Sequence, residues 1–176
     1  MSYRIVHYIN QFFGGIGGEE TADHKPEVRE GIVGPGIGLN NALSGKAAVV
    51  ATVICGDNYC VANQEEVTNF IVDVIKKYKA DILIAGPAFN AGRYGMASGG
   101  VCASVGAACG IPTMTAMFPE NPGVELYKAG TYILPTDDSA RGMGKAIPAM
   151  AEFAMKLLKG DKLKTAEEEG YIERGV

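Results

Sequence analysis

The residues best equipped for chemistry stand together in one string, GPAFNAGRYG at 86–95, which holds Asn90, Arg93 and Tyr94. A guanidinium is a planar fork of donors that matches a carboxylate or phosphate in both geometry and charge. Ahead of the string, Ile82 to Ala85 is an unbroken apolar run, the pattern of a strand buried on both faces of a parallel sheet. Behind it, the small-residue segment Ala97 to Gly110 predicts a helix that can lie close to its neighbours. A loop between two such elements carries Arg93 from the carboxyl end of a strand to the amino end of a helix, where free N–H groups and the positive end of the dipole also favour an anion. A glycine-rich connection with a solvated Arg is equally compatible with this loop taken alone.

Other polar clusters repeat that placement. Asn10, Gln11, Glu19 and Glu20 follow one apolar segment, Asp57 and Asn58 a second, Glu120 and Asn121 a third, and Asp137 to Arg141 a fourth. The glycines among them, Gly14-Gly15 and Gly17-Gly18, suggest close backbone approach to a ligand or partner. They do not form a dinucleotide fingerprint, because the G-x-G-x-x-G pattern is unmet and no helix follows at once. His7, within the apolar YRIVHYI, reads as a satisfied core histidine rather than a base. Cys55, Cys60, Cys102 and Cys109 contain no C-x-x-C pair, so they read as buried thiols rather than a redox centre or zinc ribbon. Cys60, with no adjacent His, reads as structural. No catalytic residue and no metal ligand set can be named.

The elements that must position these groups alternate. Tyr3 to Ile9 is the first predicted strand, and polar Thr21 to Glu30 reads as an excursion across the surface. A short helix, Ile37 to Leu43, precedes a second strand, Ala47 to Ile54. Asn63 is the expected N-cap of an amphipathic helix through Tyr78, with apolar residues at helical spacing and lysines in the last turn. After the 81–110 unit come strands at Thr113 to Met117 and Tyr132 to Leu134, separated by a helical piece at Val124 to Tyr127. The final helix runs to about Leu158, with a kink or fresh start expected at Pro148. Strands separated by helices, with no hairpin signals, predict an α/β fold: a doubly wound, Rossmann- or flavodoxin-like parallel sheet of five strands with helices on both faces. All the polar clusters would then share the carboxyl rim. Residues 1–160 form the expected single domain, and 161–176, charged and aperiodic, read as a tail or interdomain linker.

Composition narrows the function. The chain has 176 residues, 47% hydrophobic and 20% charged, with 16 basic against 20 acidic side chains and a net charge of −4. One α/β domain fits that length. There is no basic run or aromatic stripe for nucleic acid, no membrane-length apolar run and no signal pattern, so a cytoplasmic location is expected.

Three longer strings, HYINQFFGGIGGEE at 7–20, VICGDNY at 53–59 and GPAFNAGRYG, go beyond fold logic. With ENPGVELY at 120–127 and the terminal EEEGYIERG, they resemble the amino-terminal part of the selenoprotein B subunit of the clostridial glycine, sarcosine and betaine reductases. The similarity runs through nearly the whole chain. It implies an oxidoreductase subunit of component B in an amino-acid-fermenting anaerobe. That complex reductively cleaves the C–N bond of glycine or an N-methylated glycine: component B binds the amine, its selenolate takes up the carboxymethyl group, component A carries this onward, component C yields acetyl phosphate, and thioredoxin supplies electrons. For glycine, a partner subunit bears a pyruvoyl group. The family's U-x-x-C selenocysteine pattern is absent from this sequence, so the resemblance implies no cofactor in this chain and no activity from it alone.

In that setting the substrate is a small zwitterion. Arg93 or Arg141 would clamp its carboxylate, and Glu19, Glu20 or Asp57 would face its amine. Two alternatives stay open. One is a non-catalytic assembly domain; the other is a flavodoxin-like ligand binder, although the acids of NQFFGGIGGEE would repel a phosphate there.

Overall fold

A computed structural model describes residues 2–175, and the chain forms a single sheet covered by helices. The strands are β1 (Tyr3–Asn10), β2 (Glu27–Glu30), β3 (Ala47–Cys55), β4 (Ile82–Ala85), β5 (Thr113–Met117) and β6 (Tyr132–Pro135). The helices are α1 (Gly36–Ala42), α2 (Asp57–Ala62), α3 (Gln64–Tyr78), α4 (Gly92–Cys109), α5 (Pro122–Tyr127), α6 (Met143–Lys159) and α7 (Ala166–Glu169), with 3-10 turns at Glu19–Thr21 and Ala140–Gly142. In space the strands lie in the order β2-β3-β1-β4-β5-β6.

Five strands are parallel, as the buried apolar runs predict, and β4 is buried at every position. The sixth corrects the five-strand expectation. β2 pairs antiparallel with β3, Glu27 opposite Ile54 and Glu30 opposite Ala51. Its sequence, EVRE, offers no apolar face because it is an outer strand and none of its residues is fully buried. Charges on an edge strand also discourage pairing with a second chain. The segment read as a surface excursion is therefore partly sheet.

Alternation along β1 separates two cores. Val6 and Tyr8 face a layer made by Cys60 of α2, Val67, Ile71, Val74 and Ile75 of α3, Val101 and Val105 of α4, and Val124 of α5. Ile5 faces the other layer, made by Leu39 of α1 with Ile147, Met150, Phe153 and Ala154 of α6. α3 ends as expected, with Lys76 and Lys77 in its last turn and Lys79 left-handed at the C-cap. α6 continues as one helix through Pro148, which lies on its exposed side, so no fresh start occurs there.

Two local differences bear on the rim. The stretch after β3, read as loop, forms the short helix α2, and α4 starts at Gly92 rather than Ala97, so Arg93 and Tyr94 belong to its first turn. Glycines and small residues hid the start of α4 from the helical periodicity, and α2, of six residues, is too short to display one.

Residues 161–175, read as a tail or linker, lie against the body of the domain, Leu163 and Tyr171 on the second core and Ile172 on the first. Ala166 is buried, and the Tyr171 ring packs at 5.1 Å from Tyr132 and 5.7 Å from Phe153. The Ile172 N–H donates to the Ile133 carbonyl of β6 at 2.8 Å, Lys156 pairs with Glu169 at 2.7 Å, and Arg174 lies over the Tyr132 ring.

Candidate functional site

The five parallel strands all end on one rim, and the chain reverses its direction of strand addition at β1: β3 is laid on one side of it and β4 on the other. In sheets of this kind the loops leaving the two sides part at that position and leave a crevice. Three loops meet there, from β1, β3 and β4.

The β1 loop is organised by its own side chains. Asn10 Oδ1 accepts from the Phe13 N–H at 3.0 Å, while its Nδ2 donates to Asp57 Oδ2 at 3.0 Å. Gln11 Oε1 accepts the Asp57 N–H at 3.0 Å. Two buried amides thus clip the β1 loop to the start of α2. The returning chain presses on the same place: Gly56 N–H donates to the His24 carbonyl at 2.8 Å, and a Cβ on Gly56 would lie 2.2 Å from the Ala22 oxygen. Only glycine allows that approach.

Arg93, in the first turn of α4, reaches across all three loops. One terminal nitrogen donates to Glu19 of the β1 loop and the other to Asn58 of α2. Arg93 and Glu19 are both exposed, so solvent screens their pair and it adds little to stability. Glu20 instead accepts the Gly18 N–H at 2.9 Å, which holds its carboxyl below the usual range.

Beneath this bridge lies a buried polar layer. Asp57 is 8% exposed. Burial pushes its carboxyl up to about 6, against the opposing pull of the Asn10 hydrogen bond and the Arg93 charge. Its Oδ1 has no partner, nor does the hydroxyl of Tyr94, whose ring packs 5.9 Å from Phe13. Tyr8 lies beside Cys55 and Cys60, and burial raises both tyrosines well above their ordinary value.

Asn10, Gln11, Glu19, Asp57, Asn58, Arg93 and Tyr94 are therefore brought together. Asn90 is exposed on the turn before α4, Glu120 is exposed after β5, and Arg141 is exposed on the 3-10 turn beyond β6, farther along the sheet. Asn121 is 1% exposed and committed to the backbone: it donates to the Phe89 and Ala91 carbonyls at 3.0 Å and accepts from Gly123 at 2.9 Å. A Cβ on Gly95 would fall 2.0 Å from its side chain, so Asn121 fastens α5 to the base of the Arg93 turn.

His7 is a core histidine, fully buried, bonded through Nε2 to the Gly86 carbonyl at 2.8 Å and pushed down to about 4 by burial, but it is only half satisfied, because its Nδ1 has no partner. The members that sequence reasoning missed are Tyr8 and Phe13. Tyr8 was legible from the alternation of β1, which sets it on the face of Val6.

A separate cleft of about 270 Å³ opens between the ends of β5 and β6 and α6. It is floored by Ala116 and Leu134, and its charged groups are Asp137 and Lys145. Among the described residues no three His, Cys, Asp or Glu side chains are grouped to hold a metal ion, and no helix is long and apolar enough to cross a membrane.

Residues 2–176 match the family model described as glycine/sarcosine/betaine reductase selenoprotein B. The chain is 56% identical over 174 residues to the glycine reductase complex component B subunit gamma of Carboxydothermus hydrogenoformans, a match covering 99% of this chain and 40% of that protein. It is 47% identical over 173 residues to the sarcosine reductase complex component B subunit beta of Peptoclostridium acidaminophilum, covering 98% and 40%. To the betaine reductase complex component B subunit beta of the same organism it is 41% identical over 172 residues, covering 98% and 39%. The chain thus spans about 40% of the length of these relatives. No solved structure matches it.

Proposed function

Because the chain belongs to the glycine/sarcosine/betaine reductase selenoprotein B family, we propose that its carboxyl rim holds the amino-acid substrate of a component B reductase subunit. Arg93 carries the reading. It stands at the strand-order reversal, at the amino end of a long helix, already gripping a carboxylate through one arm of its fork. A substrate carboxylate takes the place of Glu19 there, and the substrate amine then faces the acids of the rim.

The strand order and the helices on both faces support a doubly wound fold, the architecture that places ligands at this edge. The rest of the proposal follows the family. Reductive C–N cleavage proceeds with a selenolate and a pyruvoyl group that this sequence does not contain, in a cytoplasmic complex with other component B subunits, components A and C, and thioredoxin as reductant, ending in acetyl phosphate. The residues of this chain supply binding and orientation.

The test is Arg93→Lys in the reconstituted reductase. Lysine keeps the charge and loses the fork, so kcat/KM should fall about tenfold or more, the equivalent of one charged hydrogen bond, with little change in thermal stability. Full activity accompanied by weakened folding or subunit assembly would make Arg93 structural. It would move the carboxylate to another cation of the rim, with Arg141 next, and favour the assembly-domain reading.

A further inference from the structure

Asp57 is a buried acid whose bonding is incomplete. Its Oδ2 and backbone N–H are held by Asn10 and Gln11, yet Oδ1 is buried with nothing to accept from, and the buried Tyr94 hydroxyl within electrostatic reach of it is equally unpaired. Buried polar groups in native proteins are almost always paired, so these orphans, with the unpaired Tyr8 hydroxyl nearby, point to an absent partner. The surroundings do not provide one. Asn10 Nδ2 is directed to Oδ2, Gln11 meets Asp57 only by accepting its backbone N–H, the Tyr8 hydroxyl is itself unpaired beside Cys55 and Cys60, Glu19 is an acceptor, and Arg93 directs its terminal nitrogens to Glu19 and Asn58. What is missing at Oδ1 is a hydrogen-bond donor from outside the chain.

We propose that Asp57 Oδ1 receives an N–H of the ammonium whose carboxylate Arg93 holds, which makes Asp57 the residue that selects a primary or secondary amine over a trimethylated one. This rests on the rim reading given above. Ammonium groups bearing hydrogens donate short, charge-assisted bonds to a carboxylate. A trimethylammonium carries the same charge without a donor and is recognised instead by open aromatic faces. Among the described residues of the rim no such box is formed: Tyr94 is buried against Phe13, Phe12 is 63% exposed and stands edge-on to Phe13, and the Tyr59 hydroxyl is turned to Glu66. A site that requires a hydrogen bond rejects the analogue lacking it more sharply than a shape-matched apolar pocket would.

Calorimetric titration of the full 176-residue chain with glycine, sarcosine, betaine and acetate tests the assignment. The wild type should bind glycine and sarcosine about tenfold or more tighter than betaine or acetate. Asp57→Asn, which can keep the Asn10 bond, should bring glycine down to the affinity of acetate and leave acetate unchanged. Betaine bound as tightly as glycine, or an Asn variant that retains the preference, overturns this proposal while the Arg93 clamp stands. Acetate affinity indifferent to Arg93→Lys, or no binding of any of the four, removes the clamp and this inference with it. An Asn variant that melts below the wild type at pH 8 would make Asp57 a structural acid and also overturn the proposal.

Discussion

At Asp57, burial acts against folding. Its carboxyl titrates near 6 in the folded chain against 3.8 unperturbed, so between these values the folded state binds the proton more tightly than the unfolded one. The stability linked to this group is complete below about pH 4, declines as pH rises through 6 and is flat above, amounting to about 3 kcal/mol at most for a shift of this size. The charges bearing on it are Arg93, which favours ionisation, and Glu19, which opposes it. Asp57→Asn should therefore remove the decline between pH 4 and 6 and raise the melting temperature at pH 8 by several degrees, since 1 kcal/mol corresponds to about 2–4 °C at this chain length. Thermal melts of both proteins across that range would show it; parallel curves would mean that the carboxyl is not held up. An acid that costs stability where an amide would not fits a group kept for binding. Its place in the candidate site was legible from Asp57 following a buried strand, whereas its missing partner was not, because that depends on Tyr94 and Asn10 arriving from elements distant in sequence.

At the level of elements, the run 161–175 shows where reading by periodicity stops working. Ala166, Tyr171 and Ile172 are too few to make a repeating apolar face, yet each meets the body, and the Ile172 N–H occupies part of the outer edge of β6. β2 escaped notice for the related reason that a charged edge strand has no buried face to display. The central parallel strands were readable because burial on both sides leaves only apolar residues, as in Ile82 to Ala85. Deleting residues 161–176 should cost about 2–4 kcal/mol, given the aromatic contacts and hydrogen bonds lost, and lower the melting temperature by several degrees. It also bares a strand edge, so size-exclusion chromatography should show self-association. An unchanged melting curve and elution would mean that these contacts carry no weight.

Taken whole, the molecule brings residues from three loops to one rim, while the sequence holds no selenocysteine and spans about 40% of its relatives. Supplied with thioredoxin, the chain by itself should not reduce glycine, sarcosine or betaine, and any turnover would contradict the proposed division of labour. The contact between Arg93 and Glu19 joins residues 74 apart. Folding has tethered an acid beside the guanidinium, and a tethered competitor acts at an effective concentration on the order of millimolar or above. An incoming carboxylate meets a site that is already partly self-inhibited, and its apparent affinity is reduced by the fraction of time the pair is closed. Glu19→Ala should for this reason tighten acetate binding about two- to fivefold, the range that corresponds to a surface ion pair. The residue that keeps the crevice closed when it is empty then limits how firmly the crevice can hold a small acid.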